Sequence, residues 1–157
     1  MQKLTTCLWF DGKAEEAMNF YTSIFKDSKK GKISRYGDGA PFPKGTVMVA
    51  TFEVLGHDFM ALNGGPQFTF SPAISFVVNC ETQEEVDEFW EKLSAGGEKV
   101  QCGWLKDKYG VSWQIVPTIL ARLMSDKDAT RTQRVMQALM QMKKLDIQKL
   151  QDASDGK

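Results

Sequence analysis

The stretch EEAMNFYTSI beginning at Glu15 returns as EEVDEFWEKL beginning at Glu84, with Glu15 over Glu84, Phe20 over Phe89 and Tyr21 over Trp90 at a constant shift of 69 residues. Self-similarity at a fixed period restricts a chain to architectures built from copies of one supersecondary unit, here two copies. Each copy reads as an amphipathic helix. In the first, Ala14, Ala17, Met18, Tyr21, Ile24 and Phe25 recur at helical spacing; Asp11 is the expected N-cap, and Glu15 and Glu16 suit the positive end of the helix dipole. In the second, Thr82 and Glu85 form a capping box, Val86, Phe89, Trp90 and Leu93 share one face, and Gly96 and Gly97 close the helix.

Strand-like segments surround each helix in the same order. TTCLWF precedes the first, and KISRYG, GTVMVATFEVLG and HDFMALN follow it, all rich in β-branched and aromatic residues; LGHDF reads as a tight turn that includes His57. SPAISFVVNC precedes the second helix, and CLWF lies over its AISF. The chain then reaches CGWLKDKYGVSWQIVP, two β-favouring runs around a turn containing Asp107 and Gly110. In the second of these runs Ser112 and Gln114 share one face, Trp113 and Ile115 the other. The expected fold class is α+β: two tandem βαβββ modules, about 1–66 and 67–117, forming a domain over 1–117, followed by a helical extension over 118–157. In that extension Leu120, Leu123, Met124, Val135, Met136, Leu139 and Met140 fall at helical spacing, and Asp146 is placed to cap a last short turn bearing Ile147 and Leu150. The Met-rich stripe reads as packing against the body or a second subunit, with a grip on another protein as the alternative.

Composition removes several function classes. Of 157 residues, 20 are basic and 20 acidic, so the chain has no net charge with which to attract nucleic acid or an anionic membrane. Three cysteines, Cys7, Cys80 and Cys102, show no CxxC spacing and sit in apolar segments, which suits a reducing, cytoplasmic setting. No apolar run approaches the roughly 18 residues of a spanning helix, and the first residues lack the apolar core of a signal peptide, so no membrane partner is expected. A lone histidine, His57, leaves no Ser-His or Cys-His pair. Asn63-Gly64-Gly65-Pro66 lacks the helix of a phosphate loop and reads as a strand-ending turn, and no Gly-rich cofactor turn follows the first strand.

The repeated order, together with LWFDGKAEEAMNFY, FMALNGGPQF, AISFVVNC and CGWLKDKYGVSWQIVP, resembles the vicinal oxygen chelate (glyoxalase/bleomycin-resistance/dioxygenase) superfamily, and within it the PhnB-like group, also called 3-demethylubiquinone-9 3-methyltransferase. The resemblance covers residues 1–117. It implies a cavity enclosed by curled mixed sheets, a homodimer, and in catalytic relatives a divalent metal held by a His or Gln on each module's first strand and a Glu on each last strand. Carried onto this chain, those positions fall at Cys7 (or Thr6), Ala73, Ala61 (or Phe59) and Gln114. Two alanines cannot coordinate, Cys7 is a soft ligand without a partner, and Gln114 is a weak neutral one. The reading is therefore a metal-free, cofactor-free cavity that binds a small organic molecule. Trp9, on the Cys7 face, and Trp104 would line it with Phe59, Asn63 and Ser75, and Gln114 would offer a neutral amide where relatives carry a carboxylate. The same composition would also suit a plain core with a satisfied interior Gln. The alternative is a lyase, isomerase or transferase using an atypical metal set such as Cys7 with Gln114, or metal-free proton transfer, with Cys7 the residue to suspect.

Overall fold

A computed structural model describes residues 3–157, so the first two residues of the expected first module lie outside the described residues. The chain divides into two compact units, one ending at Thr69 and the other running from Phe70 to Lys157. The first unit contains β1 (Thr6–Phe10), α1 (Ala14–Ile24), β2 (Ser28–Arg35), β3 (Val47–Val54) and β4 (His57–Asn63) in a sheet of order β1-β4-β3-β2. β1 runs parallel to β4 and the remaining pairs are antiparallel. Helix α1 buries Ala14, Ala17, Met18, Tyr21 and Ile24, the stripe expected from their spacing, and Tyr21 stacks on Phe52 of β3 at 5.9 Å.

Two local expectations change. The residue preceding α1 is Lys13 rather than Asp11, because Gly12 at φ 73° turns the chain one step later, and Lys13 offers no side-chain cap. The first helical N–H is satisfied from a distance instead: Ala14 N donates to Asn63 Oδ1 at 2.9 Å. The β3–β4 turn is the pair Leu55-Gly56, both at positive φ (50° and 75°), as a two-residue hairpin requires. His57 therefore opens β4 rather than lying in the turn, and its Nε2 sits 3.0 Å from Thr6 Oγ1.

The second unit repeats the plan with β5 (Ser75–Cys80), α2 (Gln83–Ser94), β6 (Glu98–Lys99), β7 (Trp104–Lys106) and β8 (Ser112–Pro117), ordered β5-β8-β7-β6 with β5 parallel to β8. Thr82 caps α2 by accepting from Glu85 N at 3.2 Å, while Glu85 Oε2 accepts from Glu81 N at 2.6 Å, so the capping box closes one residue earlier than its usual form. Val86, Trp90 and Leu93 are buried on α2, and the sheet buries Val78, Cys80, Leu105, Trp113 and Ile115. The result is the α+β architecture expected from the repeat. It consists of two four-stranded mixed sheets, neither closed into a barrel.

Three further helices, α3 (Ile119–Met124), α4 (Ala129–Met140) and α5 (Ile147–Asp155), belong to the second unit. Leu123, Val135, Leu145 and Leu150 form their core, with Leu120, Met124, Leu139 and Met142 packed against it, while Met136 and Met140 are exposed. The segment before α5 is tied to the unit's βαβββ body. Cys102 N donates to Met142 O and Gly103 N to Lys143 O, both at 2.8 Å; Gln83 donates through Nε2 to Leu145 O and accepts from Ile147 N through Oε1. Lys144 pairs with Asp87 at 2.8 Å, and hydrogen bonds from Lys144 and Gln83 hold that carboxyl below the usual carboxylate range. Asp146 caps α5 as expected, accepting from Lys149 N. Among the described residues no helix is long and apolar enough to cross a membrane.

Candidate functional site

Each sheet has one face against its own helix and one turned away from it, and side-chain alternation decides which residues belong to which. In the first unit Cys7 is the register partner of Met60 and Trp9 of Leu62, so these four share the face away from α1. Phe59 and Asn63, placed with Trp9 in the expected pocket, lie on the opposite face. Phe59 is 5% exposed and stacks on Phe52 at 5.2 Å; Asn63 is 8% exposed and, besides holding α1, donates through Nδ2 to Val47 O at 3.0 Å. These two residues serve the core, because the register places odd-numbered β4 residues toward the helix.

Trp9 does stand on the open face, fixed by surroundings that the sequence did not reveal. Its Nε1 donates to Gly65 O at 2.8 Å, and Phe68 meets it edge-on at 5.0 Å. A Cβ on Gly64 would overlap the indole, so only glycine lets the ring lie there. The Gly64-Gly65 turn ends the strand, as expected, with Gly64 N donating to Phe10 O. Tyr36 packs against Phe42 and donates its hydroxyl to Asn63 O at 2.6 Å, which adds aromatic surface near the same turn. Elsewhere in this unit a hollow of about 450 Å³ is lined by Thr5, Lys29, Thr51, Glu53, Asp58 and Met60. These residues become neighbours only through strand pairing, which is why spacing alone missed them.

Cys7 is exposed as a residue, yet burial of its surroundings raises its thiol above the ordinary value; Cys80 is buried and pushed up to about 12, by desolvation first and by Glu85 second. A raised thiol is protonated at neutral pH and thus a poor nucleophile. Iodoacetamide at pH 7.5 is expected to modify Cys7 several-fold more slowly in the folded protein than in urea, with the folded rate climbing only above the ordinary thiol range. Faster labelling when folded would revive Cys7 as a reactive group.

In the second unit Ser75, Val77, Trp104, Lys106, Ser112 and Gln114 share the face away from α2, since Ser75 pairs with Ser112, Val77 with Gln114, Trp104 with Gln114 and Lys106 with Ser112. Three of the expected site residues meet here. Gln114, half-buried, donates through Nε2 to Ser75 Oγ at 2.9 Å, with Trp104 directly opposite it on β7. The hairpin that presents them is organised by Asp107, whose Oδ1 accepts from Tyr109 N and Val111 N and whose Oδ2 accepts from Trp113 Nε1.

The paired strands also correct the positions at which relatives hold a metal. Leu8 and Phe10 are buried ahead of α1, and Val78 and Cys80 are buried ahead of α2, so the first strands align with Cys7 over Val77, not Ala73. Ala73 precedes β5 altogether. Likewise Ala61 faces α1, and the open-face residue beside Cys7 is Met60. The open-face positions become Cys7 and Met60 in the first unit and Val77 and Gln114 in the second; the first pair offers only two soft sulfur atoms and the second only one neutral amide oxygen, and neither pair by itself fits a hard divalent ion wanting imidazole and carboxylate ligands. Among the described residues no cluster of three or more His, Cys, Asp or Glu side chains could hold a metal ion. His57 is engaged with Thr6 and lies edge-on to Phe59 at 4.8 Å, on the core side.

The sequence model of the 3-demethylubiquinone-9 3-methyltransferase family matches residues 2–116, which leaves α3 to α5 outside the match. Among solved structures, the PhnB protein from Bacillus cereus is 47% identical, with 74% of this chain and 100% of that chain covered at a TM-score of 0.68. A protein from Pseudomonas aeruginosa is 20% identical over 74% of this chain and 98% of its own, with a TM-score of 0.61. A mutant of the fosfomycin resistance protein FosX from Listeria monocytogenes, complexed with Mn(II) and dihydroxypropylphosphonic acid, is 19% identical over 78% and 99% of the two chains, with a TM-score of 0.54. The latter two show a shared fold alone. No curated protein matches the sequence. With the family's sequence model spanning both sheets and the B. cereus protein covered end to end, the chain belongs to the PhnB-like 3-demethylubiquinone-9 3-methyltransferase family of the vicinal oxygen chelate superfamily.

Proposed function

We propose that this protein binds a small organic molecule on the face of its second sheet that carries Gln114, without a resident metal ion. The observation that carries the reading is the Gln114–Ser75 hydrogen bond beside Trp104: a fixed neutral amide next to an aromatic wall, at the position where catalytic relatives are expected to hold a metal-binding carboxylate. A pocket of mostly apolar wall with a few placed polar groups is the usual composition of a small-molecule site. Methyl transfer, which the family description names, draws no support from this chain: both sheets are mixed and no Gly-rich turn of the doubly wound cofactor fold follows a first strand. The raised Cys7 thiol likewise gives no support to an enzyme built on a Cys7 thiolate. We place the protein in the cytoplasm as a homodimer. The three free cysteines support the first assignment, and exposed Ile74 and Val77 (75% and 50%), at and just before β5, support a second copy.

The test is native mass spectrometry of the untagged protein. A dimer carrying an organic adduct is the expected species. Gln114→Ala is expected to weaken retention of that adduct by about tenfold or more while changing stability by less than about 1 kcal/mol. One divalent ion per subunit, lost in the same variant, would overturn the metal-free reading.

A further inference from the structure

Ser112 is 2% exposed, and its Oγ has no hydrogen-bond partner among the described residues. A buried hydroxyl in that condition forfeits the hydration it had in the unfolded chain and gains nothing in return, so it calls for an explanation beyond the fold. Its place supplies one. Ser112 stands between Ser75 on β5 and Lys106 on β7, on the same face as Gln114 and two residues before it, at one end of the surface proposed above. Around it the unspent hydrogen-bonding capacity consists mostly of donors. Gln114 uses Nε2 toward Ser75 and keeps a second amide hydrogen beside its carbonyl Oε1, an acceptor. The Trp104 indole N–H bonds to no described residue. Lys106 brings an ammonium group that stands 3.8 Å from Glu98, and Glu98, on β6 at the far edge, is the one carboxylate on this face of the sheet among the described residues.

We propose that this surface receives the oxyanion head group of the ligand, a carboxylate or a phosphonate. Ser112 Oγ–H and the free Gln114 amide hydrogen donate to it, Lys106 balances its charge, and the ligand's apolar part lies against Trp104. The inference rests on the binding reading above and adds to it the chemical class of the ligand and a binding role for Ser112. A cationic head group would face the Lys106 ammonium and find as acceptors chiefly Gln114 Oε1 and Glu98, which already pairs with Lys106, and a purely apolar ligand would leave the Ser112 hydroxyl as unsatisfied as it is now.

The experiment follows the Trp104 indole and Gln114 side-chain amide resonances of the full-length protein by NMR, titrating acetate, methylphosphonate, methylammonium and benzyl alcohol separately. Saturable shifts with acetate or methylphosphonate and none with methylammonium are expected. Ser112→Ala is expected to fold with an unchanged thermal midpoint, because it removes an unpartnered hydroxyl, and to weaken oxyanion binding by about tenfold. Oxyanion binding that Ser112→Ala leaves intact would overturn the role of Ser112. Shifts with benzyl alcohol alone would overturn the ligand class while leaving the binding surface in place. Silence with all four probes would overturn both readings.

Discussion

Asp107→Ala is expected to destabilise the second unit by about 3–5 kcal/mol, a large share of the stability of a domain this size. Asp107 is 2% exposed and its carboxylate accepts hydrogen bonds within its own hairpin from Tyr109 N at 2.9 Å, from Val111 N at 3.0 Å, and from Trp113 Nε1 at 2.9 Å. Two backbone donors and a buried indole would lose their acceptor together, and an orphaned buried donor costs more than the net worth of the bond it made. Asp107→Asn keeps one carbonyl oxygen, hence acceptance on one side, and is expected to lose about half as much. Urea unfolding monitored by tryptophan fluorescence measures both variants. A loss below about 1 kcal/mol for the alanine variant would show that the backbone bonds between Asp107 and Val111 close the hairpin without the side chain.

Asn63→Ala is expected to cost the first unit about 2–3 kcal/mol, in two parts. Oδ1 is the acceptor for the first N–H of α1, whose own N-cap residue provides none, and losing a cap costs about 0.5–2 kcal/mol. Nδ2 ties the end of β4 to Val47 O, and loss of that bond adds about 1 kcal/mol. The measurement separates a structural role from a binding role: the variant should lose stability with no change in ligand retention at the Gln114 surface. Unchanged stability with altered binding would return Asn63 to the site that sequence spacing proposed.

Which parts of this fold were legible depends on the range over which each signal acts. The repeated helices were legible because their faces and acidic first turns are set within a dozen residues, and in α2 Thr82 and Glu85 both take part in the capping, whereas α1 is capped from Asn63 and not from Asp11. The Asp107 hairpin was legible as a turn for the same reason. The faces of the first sheet were not. Strand side chains alternate with period two, so a one-residue error in register exchanges the core face for the open face. Reading Phe59, Ala61 and Asn63 as companions of Cys7 was such an error, and only the parallel pairing of Cys7 with Met60 exposes it. The alignment of CLWF with AISF failed similarly, because both runs are apolar and burial, not composition, identifies Val78 and Cys80 as the counterparts of Leu8 and Phe10.

The sequence by itself determined two βαβββ copies, the helical character of the extension, and a chain with one imidazole and a glutamine within its last strand, because these are properties of residue type and short-range spacing. The tertiary structure alone decided which side chains share a face, that Asn63 caps a helix 49 residues away, that the extension is fastened through Gln83, and that Ser112 is buried without a partner beside Gln114. Those outcomes depend on pairing between strands distant in sequence, and the free energy of that pairing comes from burial and hydrogen bonds that no local pattern encodes.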